Sequence, residues 1–183
     1  MLKRFIATRI ATFERRYGYD MSYARMILNT RLRAFLRFAE LTKISAYHDG
    51  IALDAWYAAK LAATLHEDCG PCTQLVIRMA QEAGVAPDVL RAILAREFAA
   101  LGPDVALALR YAEAVLCHAP ALESLRAEVQ RRWGERGLVS LAFGIASSRM
   151  FPTLKVALGF AHSCSVLEVN GEQAPFKRAT VPA

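Results

Sequence analysis

Only four cysteines, Cys69, Cys72, Cys117 and Cys164, occur in 183 residues. That is too few to staple a chain of this length, which excludes a disulfide scaffold. No apolar run reaches the ~18 residues of a transmembrane helix. Alternating apolar and polar residues are nearly missing, so little of the chain is expected in sheet. Internal repeats and low-complexity segments are absent. Acidic residues are missing from Met1 to Phe13, where Lys3, Arg4 and Arg9 interrupt the apolar positions; a secretory apolar core is therefore lacking, and a cytoplasmic location is expected.

What is present suits one globular domain: 55% hydrophobic and 22% charged residues in a chain long enough for a substantial core. The net charge of +6 is uneven. Residues 1–50 hold 10 Lys/Arg against 4 Asp/Glu, and the remainder holds 13 against 13. Such a basic face could meet nucleic acid, an acidic partner or an anionic membrane. An ordinary solvated helix face is the favoured reading, so neither nucleic acid nor a membrane surface is an expected partner.

Helical spacing dominates. Phe5, Ile6, Ile10 and Phe13 recur on one face up to Gly18, and a second helix from Asp20 or Ser22 carries Met26, Ile27, Leu32, Phe35, Leu36 and Phe38 beside four arginines. These two form a basic helical hairpin over residues 1–50. A third, alanine-rich helix runs from about Ala52 to His66, and a fourth ends at Gly84. Pro87-Asp88, Gly102-Pro103-Asp104 and Pro120 each open another helix. Residues 137–159 are apolar on all sides around Pro152, which is expected to kink or divide the helix. Burial of that segment against neighbouring subunits is expected, and hence a homo-oligomer. The reading is a single helical domain over 1–169, with a Cys-x-x-Cys core over 51–169 and a loose tail over 170–183.

The chemistry centres on His66-Glu67-Asp68-Cys69-Gly70-Pro71-Cys72. Two cysteines three apart on the first turn of a helix share a face, close enough for a disulfide, and the unpaired N–H groups there favour a thiolate. Glu67 and Asp68 act the other way by placing negative charge beside the sulfurs. Inert buried thiols and a metal site, with His66 or with His162 and Cys164 completing the ligands, are the competing readings; no metal and no cofactor is the expectation. The thioredoxin motif shares Cys-Gly-Pro-Cys but follows a strand, whereas here a helix precedes it.

That run, the helix ending at Gly84-Val85, Pro87-Asp88-Val89-Leu90, Ala106 to Ala112 and the late apolar helix with Arg149 resemble the alkylhydroperoxidase D-like, carboxymuconolactone decarboxylase superfamily over about residues 61–159. The resemblance implies an all-α multi-helix bundle, oligomers such as trimers or hexamers, and thiol peroxidase or disulfide reductase activity. It implies that Cys72 attacks peroxide and Cys69 resolves it as a disulfide, with an external dithiol as reductant. The family's proton relay uses a histidine four residues after the second cysteine and a glutamate twelve before the first. Val76 and Tyr57 stand at those positions. A valine cannot accept a proton, and Tyr57 can donate one; His66, Glu67 and the distant His162 are the candidate bases. The expected function is a thiol-disulfide oxidoreductase reducing a peroxide or an acceptor disulfide. The alternative is a non-enzymatic binding or scaffold protein of the same fold.

Overall fold

The computed structural model describes residues 1–160 and 166–179. In chain order the helices are α1 (Leu2–Tyr17), α2 (Ser22–Thr30), α3 (Leu32–Ala46), α4 (Leu53–His66), α5 (Gly70–Glu82), α6 (Pro87–Ala95), α7 (Pro103–Cys117) and α8 (Leu122–Ala157). One two-stranded hairpin follows, β1 (Leu167–Val169) and β2 (Glu172–Ala174). Among the described residues the fold is all-helical apart from this hairpin.

α4 is the central helix. Every residue from Ala55 to Leu65 is buried, because alanines at 55, 58, 59, 62 and 63 let neighbouring helices approach closely. It packs on α7, α8 and α5. Gly144 makes the α8 crossing possible, since a Cβ there would lie 3.0 Å from Trp56 Nε1. Leu61, Ile77, Leu90, Ile93, Leu94, Leu109 and Leu141 are fully enclosed, each contributing roughly 1.5–3 kcal/mol. A second cluster, with Ile10, Tyr19, Tyr23, Leu28 and Phe38 at its centre, joins α1–α3 to Leu75 of α5 and to Phe151 and Leu154 of α8.

Three expectations are corrected. The second helix is two helices, broken at Arg31, whose backbone is extended (φ −161°, ψ 129°). The Thr30 hydroxyl bonds back to Met26 O (2.9 Å) and competes with continuation of the helix. The break in the long C-terminal helical run falls at Gly134 (φ 63°, ψ −166°), while helical dihedrals continue through Pro152. Of the tail expected over 170–183, the described residues 170–179 are not loose. Asn170 and Gly171 both take positive φ, the two-residue turn that closes an antiparallel hairpin, and Leu167, Val169 and Ala174 are buried against the core. The Gln74 side-chain amide clamps β1 by donating to Glu168 O (3.0 Å) and accepting from Glu168 N (2.8 Å). Lys177 N donates to Leu94 O (2.8 Å), fastening the segment beyond the hairpin.

Among the described residues no helix is long and apolar enough to cross a membrane. α8 leaves Val139, Ala142, Phe143 and Ala146 exposed at helical spacing, an apolar stripe touched by the Tyr47 ring, whose centre lies 5.7 Å from that of Phe143.

Candidate functional site

The turn between α4 and α5 sets the two cysteines. Cys69 N donates to Thr64 O (3.3 Å) and Asp68 N to Leu65 O (3.2 Å), the paired closure of a helix C-terminus in which the residue at C′ is left-handed. Asp68 fills that place with φ 52°, a conformation aspartate tolerates better than most side chains. Pro71 in the first turn of α5 needs no N–H partner. Cys69 and Cys72 form a disulfide with Cα atoms 5.2 Å apart. Cys69 Sγ also accepts from Cys72 N (3.3 Å), and among the described residues α5 is the one helix with a side-chain N-cap.

The two sulfurs have different surroundings. Cys72 is 4% exposed, and its Sγ lies 3.7 Å from the Tyr19 hydroxyl. Burial pushes the Tyr19 phenol up to about 12, partly offset by a hydrogen bond from Tyr23 and reinforced by Asp20. Tyr23 is raised too, mainly by burial and then by Tyr19. Both tyrosines therefore keep their protons through the neutral range. The ammonium of Lys155, itself buried, stands over the rings of Tyr19 (4.8 Å) and Tyr23 (5.8 Å); burial lowers its pKa and Asp20 opposes this. A thiolate at Cys72 would face a permanent O–H donor with a cation behind it, both of which favour the charged form.

Tyr19→Phe is accordingly expected to raise the Cys72 thiol pKa by about one pH unit and to slow its alkylation at neutral pH about tenfold. The pH dependence of iodoacetamide labelling, in a Cys69→Ser background, measures this. Unchanged labelling would remove Tyr19 from the site.

Cys69 is 9% exposed and lines a small cleft with Leu65, Asp68, Thr73, Leu167, Phe176 and Arg178. The C-terminal segment forms one wall. Arg178 pairs with Asp68 and its guanidinium lies 5.6 Å from the Phe176 ring centre. Glu67 is bound by Arg149 Nε (2.6 Å). Each carboxylate expected to oppose a thiolate thus has an arginine against it, which cancels much of the repulsion expected from sequence.

The other expected site residues are dispersed. Tyr57 is buried edge-on against Trp56, with ring centres 4.9 Å apart, and its pKa is raised by burial and then by Tyr17. His66 is exposed and lines a different cleft, with Ala62, Ile93, Arg96, Glu113 and Lys177. Among the described residues no hydrogen bond from Tyr57, His66 or Glu67 reaches either sulfur. Val76 is buried in the core. His162 and Cys164 lie outside the described residues, and among those described no group of His, Cys, Asp and Glu could hold a metal ion. Tyr19, Tyr23, Lys155 and Arg178 were not singled out from sequence, and Arg149 entered only as part of the resemblance, with no role at the sulfurs. Nothing local marks them, since Tyr19 and Cys72 are 53 positions apart. Comparison of the chain with protein-family models, with curated proteins and with solved structures finds no match.

Proposed function

We propose that the protein is a thiol-disulfide oxidoreductase that reduces a small hydroperoxide through a Cys69/Cys72 cycle, on an alkylhydroperoxidase D-like helical bundle. The observation that carries this reading is the asymmetric placement of the pair: Cys72 faces the Tyr19 hydroxyl, and Cys69 lines a cleft open to solvent. The Cys72 thiolate attacks the peroxide O–O bond, giving a sulfenic acid and, with one proton, an alcohol or water. The Cys69 thiol displaces water from that sulfenic sulfur, forming the disulfide. An external dithiol then attacks Cys69 Sγ, Cys72 leaves as the thiolate held by Tyr19, and closure of the second disulfide in the reductant restores both protein thiols. Burial of both sulfurs favours a small peroxide over a bulky one. The exposed stripe on α8 supports a homo-oligomer.

The test is to reduce the protein, add one equivalent of hydrogen peroxide and digest it without thiols. A Cys69–Cys72 disulfide, formed faster than the oxidation of Cys117, is the expected product by mass spectrometry. If Cys69 and Cys72 remain thiols while peroxide persists, the proposal fails. A second reading, a non-enzymatic scaffold in which the bond is structural, draws on the burial of both cysteines, each less than a tenth exposed, and on Cys69 Sγ capping α5. It predicts a disulfide that dithiols reduce only on unfolding.

A further inference from the structure

The solvent face of α1 combines two features that a merely solvated helix does not need. Arg4, Arg9 and Arg15 lie there, and Lys3 is exposed in the first turn, on the line of Ile6, Ala7 and Ile10; none of the four has a carboxylate partner among the described residues. The first acidic side chain, Glu14, is turned onto Arg25 and the Met21 amide, so it does not offset them. Among these cations stand Phe5, 63% exposed, and Leu2, 51% exposed. Sequence spacing placed Phe5 on the core face. The structure gives that face to Ile6, Ala7, Ile10, Phe13 and Tyr17, which pack into the second cluster, and turns Leu2 and Phe5 outward with Arg9 on the i, i+3, i+7 line. The outer side of α3 repeats the combination, with Arg33, Leu36 and Arg37 exposed.

Duplex nucleic acid rewards the cations and gains little from an exposed Leu and Phe. A surface of anionic lipid rewards both, because apolar side chains enter the headgroup boundary while Lys and Arg meet the lipid charges. We infer that α1 is a peripheral docking face for membranes containing anionic phospholipid, with Leu2 and Phe5 inserted and Lys3, Arg4, Arg9 and Arg15 on the headgroups. This function is separate from the thiol chemistry, and the cysteines take no part in it.

Co-sedimentation of the full chain with phosphatidylcholine vesicles, with and without about one-third phosphatidylserine, tests it. Binding is expected to the anionic vesicles and not to the neutral ones, with release at about 0.5 M salt. Lys3→Glu/Arg4→Glu should weaken binding by about tenfold or more, and Phe5→Ser by about fivefold at low salt, with thermal melting unchanged in both. Three results would overturn the inference. One is equal partition onto both vesicle types, or onto neither. Another is tighter binding to duplex DNA that Phe5→Ser leaves intact. The third is a Phe5→Ser variant that dissociates an oligomer while vesicle binding is absent in wild type, which would assign the face to a second copy of this chain.

Discussion

Serine at position 72 is expected to reduce dithiol-dependent peroxide turnover to background, a loss of about 10³-fold or more, because the group that forms and breaks the covalent bond is gone. Serine at position 69 should also stop turnover, but after a different amount of chemistry. With Cys72 intact, one equivalent of peroxide is consumed and the sulfenic acid persists, open to trapping by dimedone. With Cys72 replaced, neither event occurs. The distinction follows from the environments of the two sulfurs: Tyr19 O–H at 3.7 Å from Cys72 Sγ can hold a thiolate, whereas Cys69 Sγ accepts, among the described residues, from the backbone N–H of Cys72 alone. Stopped-flow peroxide consumption on the two variants checks the assignment. Dimedone adduct on Cys69 in the Cys72→Ser protein would reverse it.

The second large effect concerns Lys60, which is 5% exposed in the middle of the most buried helix. Its Nζ donates to Ser45 O (2.7 Å) and Ser45 Oγ (3.2 Å) and lies 4.1 Å from the Trp56 ring centre. No carboxylate pairs with it among the described residues, and burial pulls its pKa down to about 8. Below pH 8 both folded and unfolded chains carry the proton, and the cost of burying the charge is fully present. Above pH 8 the folded lysine sheds its proton while the unfolded one keeps it to about the ordinary value of 10.5. The unfolded state then binds more protons, so stability rises with pH across that window. At about 1.4 kcal/mol per pH unit, the rise attributable to Lys60 is about 2–3 kcal/mol between neutral pH and pH 10. Lys60→Met should lack this increment. Urea unfolding of both proteins at several pH values measures it, and parallel stability profiles would show that the charge is solvated. Lys155, also lowered by burial, contributes in the same direction in both proteins and cancels in the comparison. The raised tyrosines act only above pH 10.

Much of the fold was legible from sequence because its signals are local. Pro87, Gly102-Pro103 and the alanine-rich run ending at His66 mark elements whose observed bounds differ by a residue or two from expectation. The Asn170-Gly171 hairpin was equally local and was missed, because the prolines and polar residues around it suggested a tail. Phe5 illustrates a different failure. Its spacing fits the core line of α1 as well as the outer one at the first turn of the helix, and only packing against α2 and α5 decides which side faces inward.

What the sequence determined by itself is the covalent and near-neighbour part of the site: two sulfurs on the first turn of α5, a proline that stiffens the turn, and two carboxylates immediately before it. Helical geometry brings residues three and four apart together, so these follow without knowledge of the rest of the chain. The tertiary structure decided what those groups meet. It set Tyr19 against Cys72, Arg149 on Glu67 and Arg178 on Asp68, across 53, 82 and 110 positions, and it sent His66 and Tyr57 elsewhere. Charge balance and proton supply at the sulfurs depend on those distant partners, which are brought in by burial of the apolar faces of α1, α4, α8 and the C-terminal hairpin; no local pattern around Cys69 and Cys72 encodes them.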